Sequence, residues 1–213
     1  MAAIDQAIKQ LDAILGPLLE AQRAQPGTAP APAPQAALSD DDLKLFQTSK
    51  IGVGRITAVE DHPAGSDKLW VMKVDVGGGE EKDVCAGLRK HFPAKSDLQD
   101  RLVVVVLNLK AAKLGGVKSE VMILAADTAD PSAPDGRVVK ALEPPAGSEP
   151  GDLVTLEGVP LPDTFNATCK KWSAIAKELS ARGGAACYRG AAFVTARGRV
   201  TVPPEIAEGG SIQ

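Results

Sequence analysis

Between Asn108 and Ser119 the chain reads NLKAAKLGGVKS, which gathers an amide, a hydroxyl and the three lysines Lys110, Lys113 and Lys118 in one short segment. Its flanks, Leu102–Leu107 and Val121–Ala125, are runs of β-branched and aliphatic residues with the length and composition of strands, and the pair Gly115-Gly116 marks a bend between them. Cationic and hydrogen-bonding side chains carried on a loop over a rigid sheet suit contact with phosphate oxygens. Taken by itself the segment reads more readily as a solvated hairpin, and what favours the phosphate reading is the rest of the chain, beginning with the elements that hold it.

Those elements are short β-like runs separated by turn signals: Val53–Val59, Leu69–Val76, Asp83–Ala86, Leu102–Leu107, Val121–Ala125, Val138–Leu142 and Leu153–Leu156. Pro63 to Ser66, Gly77 to Gly79, Pro131 to Gly136 and Pro144 to Gly151 supply the breaks. This spacing predicts a mainly β fold, a small barrel or sandwich rather than a parallel α/β sheet. A short helix over Ala94–Asp100, between the third and fourth main strands, is where an OB-fold (a Greek-key β-barrel) carries its helix, so an OB-fold is expected over residues 39–159.

Other segments flank that body. In residues 1–25, Ile4, Ile8, Leu11, Leu15 and Leu18 form one apolar helical face, and Pro17 ends or kinks the helix near Gly16. Such a short helix needs a partner surface, and the spacer that follows favours another protein or a second copy of itself over its own folded domain. Residues 26–38 form a Pro/Ala spacer, extended and semi-rigid. Ser39 is an expected N-cap, with Asp40, Asp41 and Asp42 in the first turn complementing the helix dipole. Residues 160–213 are expected to form an α+β extension packed on the barrel. Cys169–Ser180 would be its amphipathic helix, and Ala186–Tyr188, Ala192–Ala196 and Arg199–Val202 its strands.

At 213 residues with 44% hydrophobic composition, the chain can bury one sizeable core or two small ones. Lys and Arg number 24 against 27 Asp and Glu, a formal charge of −3, so any polyanion must be met by a local patch rather than by gross charge. Cys85, Cys169 and Cys187 form no C-x-x-C unit, which argues against a disulfide framework or a zinc site and for a reducing compartment. No apolar run approaches membrane-spanning length and no basic segment leads into an apolar signal core, so a soluble cytoplasmic protein is expected, with no membrane partner.

Several ordered motifs together carry a resemblance. They are Val53-Gly54-Arg55-Ile56, His62-Pro63, the run from Asp67 to Gly77 (DKLWVMKVDVG), Cys85-Ala86-Gly87-Leu88, Asn108-Leu109-Lys110 with Lys113, Gly116, Ser119 and Met122, and Pro144 to Asp152 (PPAGSEPGD). In this order they resemble the tRNA-binding domain family, found free in bacteria, at the C-terminus of some methionyl-tRNA synthetases and in synthetase-complex proteins. Lys171-Trp172, Tyr188-Arg189-Gly190, Phe193 and Gly198 are similar to the C-terminal extension of its cytokine-like branch, the one that includes endothelial monocyte-activating polypeptide II. The likeness runs from about residue 48 to the end. Ala111 stands where the family usually has proline, and Gly115 where it often has a basic residue.

The resemblance implies a non-catalytic protein that binds folded tRNA through phosphates and shape, as an auxiliary factor delivering tRNA to aminoacyl-tRNA synthetases. An aromatic content of 3% agrees, because single-strand binders stack successive bases on rings. The implied phosphate partners are Lys110, Lys113 and Lys118. Asn108 is either a loop brace or an RNA donor, and Ser119 either donates to phosphate or 2′-OH or caps a strand. Met122 is either core or a soft contact to a base. Arg55, Lys68, Lys73, Arg89 and Lys90 would widen the patch, unless each is merely a solvated charge. No nucleophile, nucleotide or metalloprotease motif is present, so no catalytic residue, metal or cofactor is expected. Alternative readings are a scaffold of a multisynthetase complex, docking through residues 1–25, and a cytokine-like protein.

Overall fold

Ser39 opens the first element as the acidic turn behind it predicts. Its Oγ accepts from the Asp42 amide at 3.2 Å and caps α1 (Asp40–Phe46). The computed structural model describes residues 38–133 and 135–213, so the expected helix in 1–25 and the spacer up to residue 37 lie outside the described residues. Thr48 and Ser49 turn their hydroxyls back onto the Leu45 and Phe46 carbonyls, ending α1, and the chain enters the sheet.

The body is built on β1 (Ile51–Asp61), β2 (Trp70–Asp75) and β3 (Glu81–Ala86), an antiparallel meander. The chain then returns as β4 (Leu102–Val106) along the other edge of β1, with Ile51 opposite Val106 and Arg55 opposite Leu102. A hairpin follows, β5 (Ala112–Leu114) and β6 (Val117–Ser119), and then β7 (Met122–Ile123) pairs with β4. The order β3-β2-β1-β4-β7 is that of the expected OB-type Greek key. Its ladder does not close. Between β7 and β3 the seam is bridged instead by Glu120 N to Asp83 O (2.8 Å), Asp83 N to Glu120 Oε2 (3.3 Å) and Cys85 N to Ser119 Oγ (3.1 Å).

The apolar run of β4 follows from its position. Val103 and Val105 belong to the core inside the barrel with Ile56, Trp70, Met72 and Leu98, whereas Val104 and Val106 belong to a second core outside it. Side chains alternate across a strand, so a strand covered on both faces has no polar position. The second core contains Phe46, Ile175, Tyr188, Phe193 and Val200, with Phe46 ring centroids 5.2 Å from Tyr188 and 5.5 Å from Phe193.

Residues after 160 wrap this core. After β8 (Ala125–Ala129), β9 (Arg137–Ala141) and β10 (Leu153–Leu156) come α2 (Trp172–Ala176), β11 (Leu179–Arg182), β12 (Ala185–Tyr188), β13 (Ala191–Thr195), β14 (Gly198–Arg199) and β15 (Ser211–Ile212). They run as β10-β13-β12-β11-β15-β8, so the segment leaves the barrel at β10 and rejoins it at β8. Two expected helices are shorter than their patterns. Over 94–100 there is one 3₁₀ turn, Lys95–Asp97, followed by fully buried Leu98 and by Asp100 at φ 61°, which no helix continues. Over 169–180 the helix stops at Ala176 because Leu179–Arg182 pairs with β12, and cross-strand pairing overrides the local periodicity.

Candidate nucleic-acid interface

The hairpin β5–β6 projects from the seam side of the barrel. Gly115 and Gly116, at φ 57° and 91°, form its two-residue turn, a conformation that glycine adopts without Cβ strain. Gly115 has a second reason to be glycine. A Cβ there would lie 2.6 Å from His62 Nε2. His62 is buried at the end of β1; its Nδ1 accepts from the Ala64 amide at 3.2 Å, which leaves the proton on Nε2 to donate to the Leu114 carbonyl at 3.3 Å. The imidazole therefore clamps the hairpin turn to the barrel, and the glycine lets it approach.

The ladder register sets Lys113 directly opposite Lys118. Like charges across a strand pair repel, so the hairpin holds a concentration of positive charge that an anion relieves. Lys118 is drawn to Glu120 at 2.8 Å, and this ammonium lowers the Glu120 carboxyl pKa. Lys110 and Lys113 are exposed and have no ion-pair partner among the described residues.

Asn108 is a hub at the hairpin base. Its Oδ1 accepts from the Lys50 amide at 2.8 Å, and its Nδ2 donates to the carbonyls of Thr48 and Asn166, each at 3.0 Å. Its own carbonyl accepts from the Cys169 amide at 2.7 Å. Both amide hydrogens are spent on protein. The hub ties together three segments that carry Lys50, Lys110, Lys170 and Lys171. The last two border a groove of about 460 Å³ with Thr48 and Asn166. Nothing in the sequence singles out Lys170 and Lys171, which belong to an expected helix 60 residues downstream of Lys110; the bonds of Asn108 to Asn166 and Cys169 associate them with the hairpin.

Ser119 is buried, its Oγ accepting from Cys85 N at 3.1 Å and donating to Val121 O at 3.1 Å. Met122 is half-buried against the second core. Ser119 thus braces the hairpin, while Met122 packs on β7 beside β4. Lys68 stands next to Leu69, which packs at the Gly115 turn, and is exposed without a carboxylate among the described residues. Arg89, whose amide bonds the Lys68 carbonyl, is paired with Asp61 at 2.8 Å and lies 4.3 Å above the Trp70 ring. Trp70 itself is core, its Nε1 donating to Phe92 O at 2.8 Å. Lys73 shares a shallow groove with Lys118 but pairs with Asp83 at 3.2 Å, which raises its pKa; Lys90 pairs with Asp135 at 2.8 Å to the same effect. Arg55 is not brought to the hairpin. It lies opposite Asp75, five residues along β2 from the Trp70 end, about 17 Å at strand rise, and donates to Asp100 O at 3.2 Å.

Among the described residues no group of three His, Cys, Asp or Glu is placed to hold a metal, all three cysteines are free and buried, and no helix is long and apolar enough to cross a membrane. The arrangement is a rigid cationic projection, fit to contact phosphates along a folded polyanion.

Comparison with known proteins agrees with that chemistry. Residues 51–153 match the family model described as "Putative tRNA binding domain". The cytoplasmic methionine–tRNA ligase of Arabidopsis thaliana is 37% identical over 176 residues, covering 81% of this chain and 21% of the ligase. The aminoacyl tRNA synthase complex-interacting multifunctional protein 1 of Mus musculus is 37% identical over 164 residues, covering 75% of this chain and 50% of that protein. This chain thus spans from a fifth to half the length of these curated relatives. The crystal structure of the C-terminal domain of Plasmodium vivax p43 superposes with a TM-score of 0.69 at 28% identity, covering 79% of this chain and 98% of that one.

Proposed function

The domain over residues 51–153 belongs to the tRNA-binding domain family, and from that premise we propose that this chain is a non-catalytic factor that binds folded tRNA and serves aminoacyl-tRNA synthetases in the cytoplasm. The observation that carries the reading is the state of the cations. Lys73, Arg89 and Lys90 are matched to carboxylates, while Lys110 and Lys113 are presented unmatched on a clamped hairpin. Phosphate contacts of this kind position an RNA without reading its sequence. In this reading Lys110, Lys113 and Lys118 meet phosphates, Asn108 and Ser119 hold them in place, and Lys68, Lys73, Arg89 and Lys90 border the patch. Arg55 lies outside it. Lys50, Lys170 and Lys171 extend it onto residues 160–213, so the extension packed on the OB body of 39–159 adds to the interface.

A filter-binding titration of tRNA at several salt concentrations tests the assignment. Lys110→Ala with Lys113→Ala should reduce the log–log salt slope by about 0.7–0.9 for each phosphate that is no longer neutralised. An unchanged slope and affinity would remove the hairpin from the interface.

The kinship with a protein named for interaction with the synthetase complex favours an assembly role alongside tRNA binding. We assign that role to residues 1–25, pairing with a synthetase or with a second copy, with residues 26–38 as the spacer. Deleting residues 1–37 should abolish that association and leave tRNA affinity in place. Sedimentation showing the same mass distribution before and after deletion, with and without a synthetase, would refute the assignment.

A further inference from the structure

The open seam of the barrel is also a cleft. Between β3, β7 and the base of the hairpin lies a cavity of about 380 Å³ whose walls include Val84, Leu109, Met122 and Val139, with Lys110 at its rim. That volume lies within the usual range of small-ligand pockets, about 300–1,000 Å³. One wall supplies hydrogen bonds. The amides of Asp83 and Cys85 face the seam, where Glu120 and Ser119 take them. β3 ends at Ala86, which pairs with Trp70, so the next amide along the chain, the N–H of Gly87, turns to the seam as well. Gly87 is exposed, lines the cleft, and its N–H and C=O have no hydrogen-bond partner among the described residues. His91 lines the same cleft: burial lowers its pKa, Arg137 and Lys90 add to the effect, and Asp135 and Asp127 oppose it.

Apolar walls, a backbone N–H donor and a cation at the rim match one ligand class. A nucleobase is apolar on its faces and hydrogen-bonds along its edge, and its phosphate lies a sugar's length away. We propose that the cleft receives one unstacked nucleobase of the bound tRNA, its edge on the Gly87 backbone and its phosphate on Lys110. An extended peptide fits less well, because adding a strand to β3 needs a free edge and Ser119 and Glu120 already occupy it at Asp83 and Cys85. The inference rests on the tRNA-binding reading and refines it: phosphates set the affinity, and one unpaired base separates tRNA from plain duplex.

A Cβ on Gly87 meets nothing within 4 Å, so Gly87→Leu narrows the cleft without disturbing the barrel. The full chain and this variant are titrated against a tRNA transcript and against a blunt RNA duplex of equal phosphate count. The variant should lose about tenfold in tRNA affinity, a factor within the range found for single base contacts. Its salt slope should not change, because every phosphate partner stays in place. Duplex affinity should not change either. An equal loss on both RNAs, or none on tRNA, overturns the base pocket while leaving the hairpin assignment standing. Failure of the wild-type chain to bind tRNA at all overturns both. Displacement of an apolar peptide by the variant's leucine, with tRNA affinity intact, would make the cleft a protein groove and refute the proposal. A second measurement needs no protein variant. 2-Aminopurine placed at each unpaired tRNA position in turn should change emission on binding at one of them; no change at any position refutes the pocket.

Discussion

Replacing Asn108 with alanine removes one side chain and leaves three backbone groups without their partner: the Lys50 amide and the carbonyls of Thr48 and Asn166. A net neutral hydrogen bond contributes about 0.5–1.5 kcal/mol, and a buried group left unpaired costs about 1–3 kcal/mol. The Thr48 and Asn166 carbonyls border an open groove where water can replace the amide, so the lower figures apply to them. The sum is about 2–4 kcal/mol, which in a domain of this size lowers Tm by roughly 4–16 °C at 2–4 °C per kcal/mol. Asn108→Asp should be worse near neutral pH, since it sets a carboxylate oxygen against two carbonyl oxygens. Burial beside those oxygens raises the new carboxyl's folded pKa above its unfolded value, so the extra penalty is present above the folded pKa and disappears as pH falls through it. Scanning calorimetry and urea denaturation at two pH values, together with tRNA titration, read all of this. The brace reasoning fails if Asn108→Ala keeps its Tm within about 1 °C, well below that expected shift, and still loses tRNA affinity. Asn108 would then be an RNA donor.

The remaining predictions concern the hairpin and the cleft. Gly115→Ala should cost about 1–2 kcal/mol for its left-handed backbone and more for the clash with His62. In a His62→Ala background the second part should vanish, which a double-mutant cycle by urea denaturation measures. Glu120→Gln keeps an acceptor for the Asp83 amide but releases Lys118, so the salt slope for tRNA should steepen by about 0.7–0.9; an unchanged slope would show that Lys118 meets no phosphate. His91 has a folded pKa below its unfolded value, so its contribution to stability is complete above the unfolded pKa and is lost as pH falls through the folded one. His91→Gln should therefore flatten the urea midpoint against pH on the acid side, and parallel profiles would refute the burial argument.

Strand composition and turn residues make the barrel legible in the sequence, because β4 must be apolar on both faces and the breaks between strands need glycine and proline. The helical pattern over 169–180 misleads for a physical reason: Ile175 and Leu179 are both buried, one on a helix and one on a strand, and helical spacing cannot distinguish the two. The site is legible in its residue types but not in its charge state. Lys90 meets Asp135 and Arg89 meets Asp61, partners 45 and 28 positions away that only the fold brings together. Lys170 and Lys171 are hidden likewise, since their link to the hairpin is the pair of bonds that Asn108 makes to Asn166 and Cys169.

Gly115 shows how sequence and geometry assign the same residue different meanings. In the motif it stands where a basic residue is common, and so counts as one phosphate partner fewer. In the structure its missing Cβ is what admits His62 against Leu114, and that clamp fixes the turn across which Lys113 and Lys118 face each other. A charge added there would sit on a turn that had lost its anchor. Placing two like charges opposite each other weakens a free hairpin by some tenths of a kcal/mol, which the clamp and the seam bonds of Ser119 and Glu120 must offset. The hairpin thus gives up stability of its own, made good by buried polar contacts at its base, to hold cations in place before any phosphate arrives. At the proposed interface, binding then has little ordering cost left to meet.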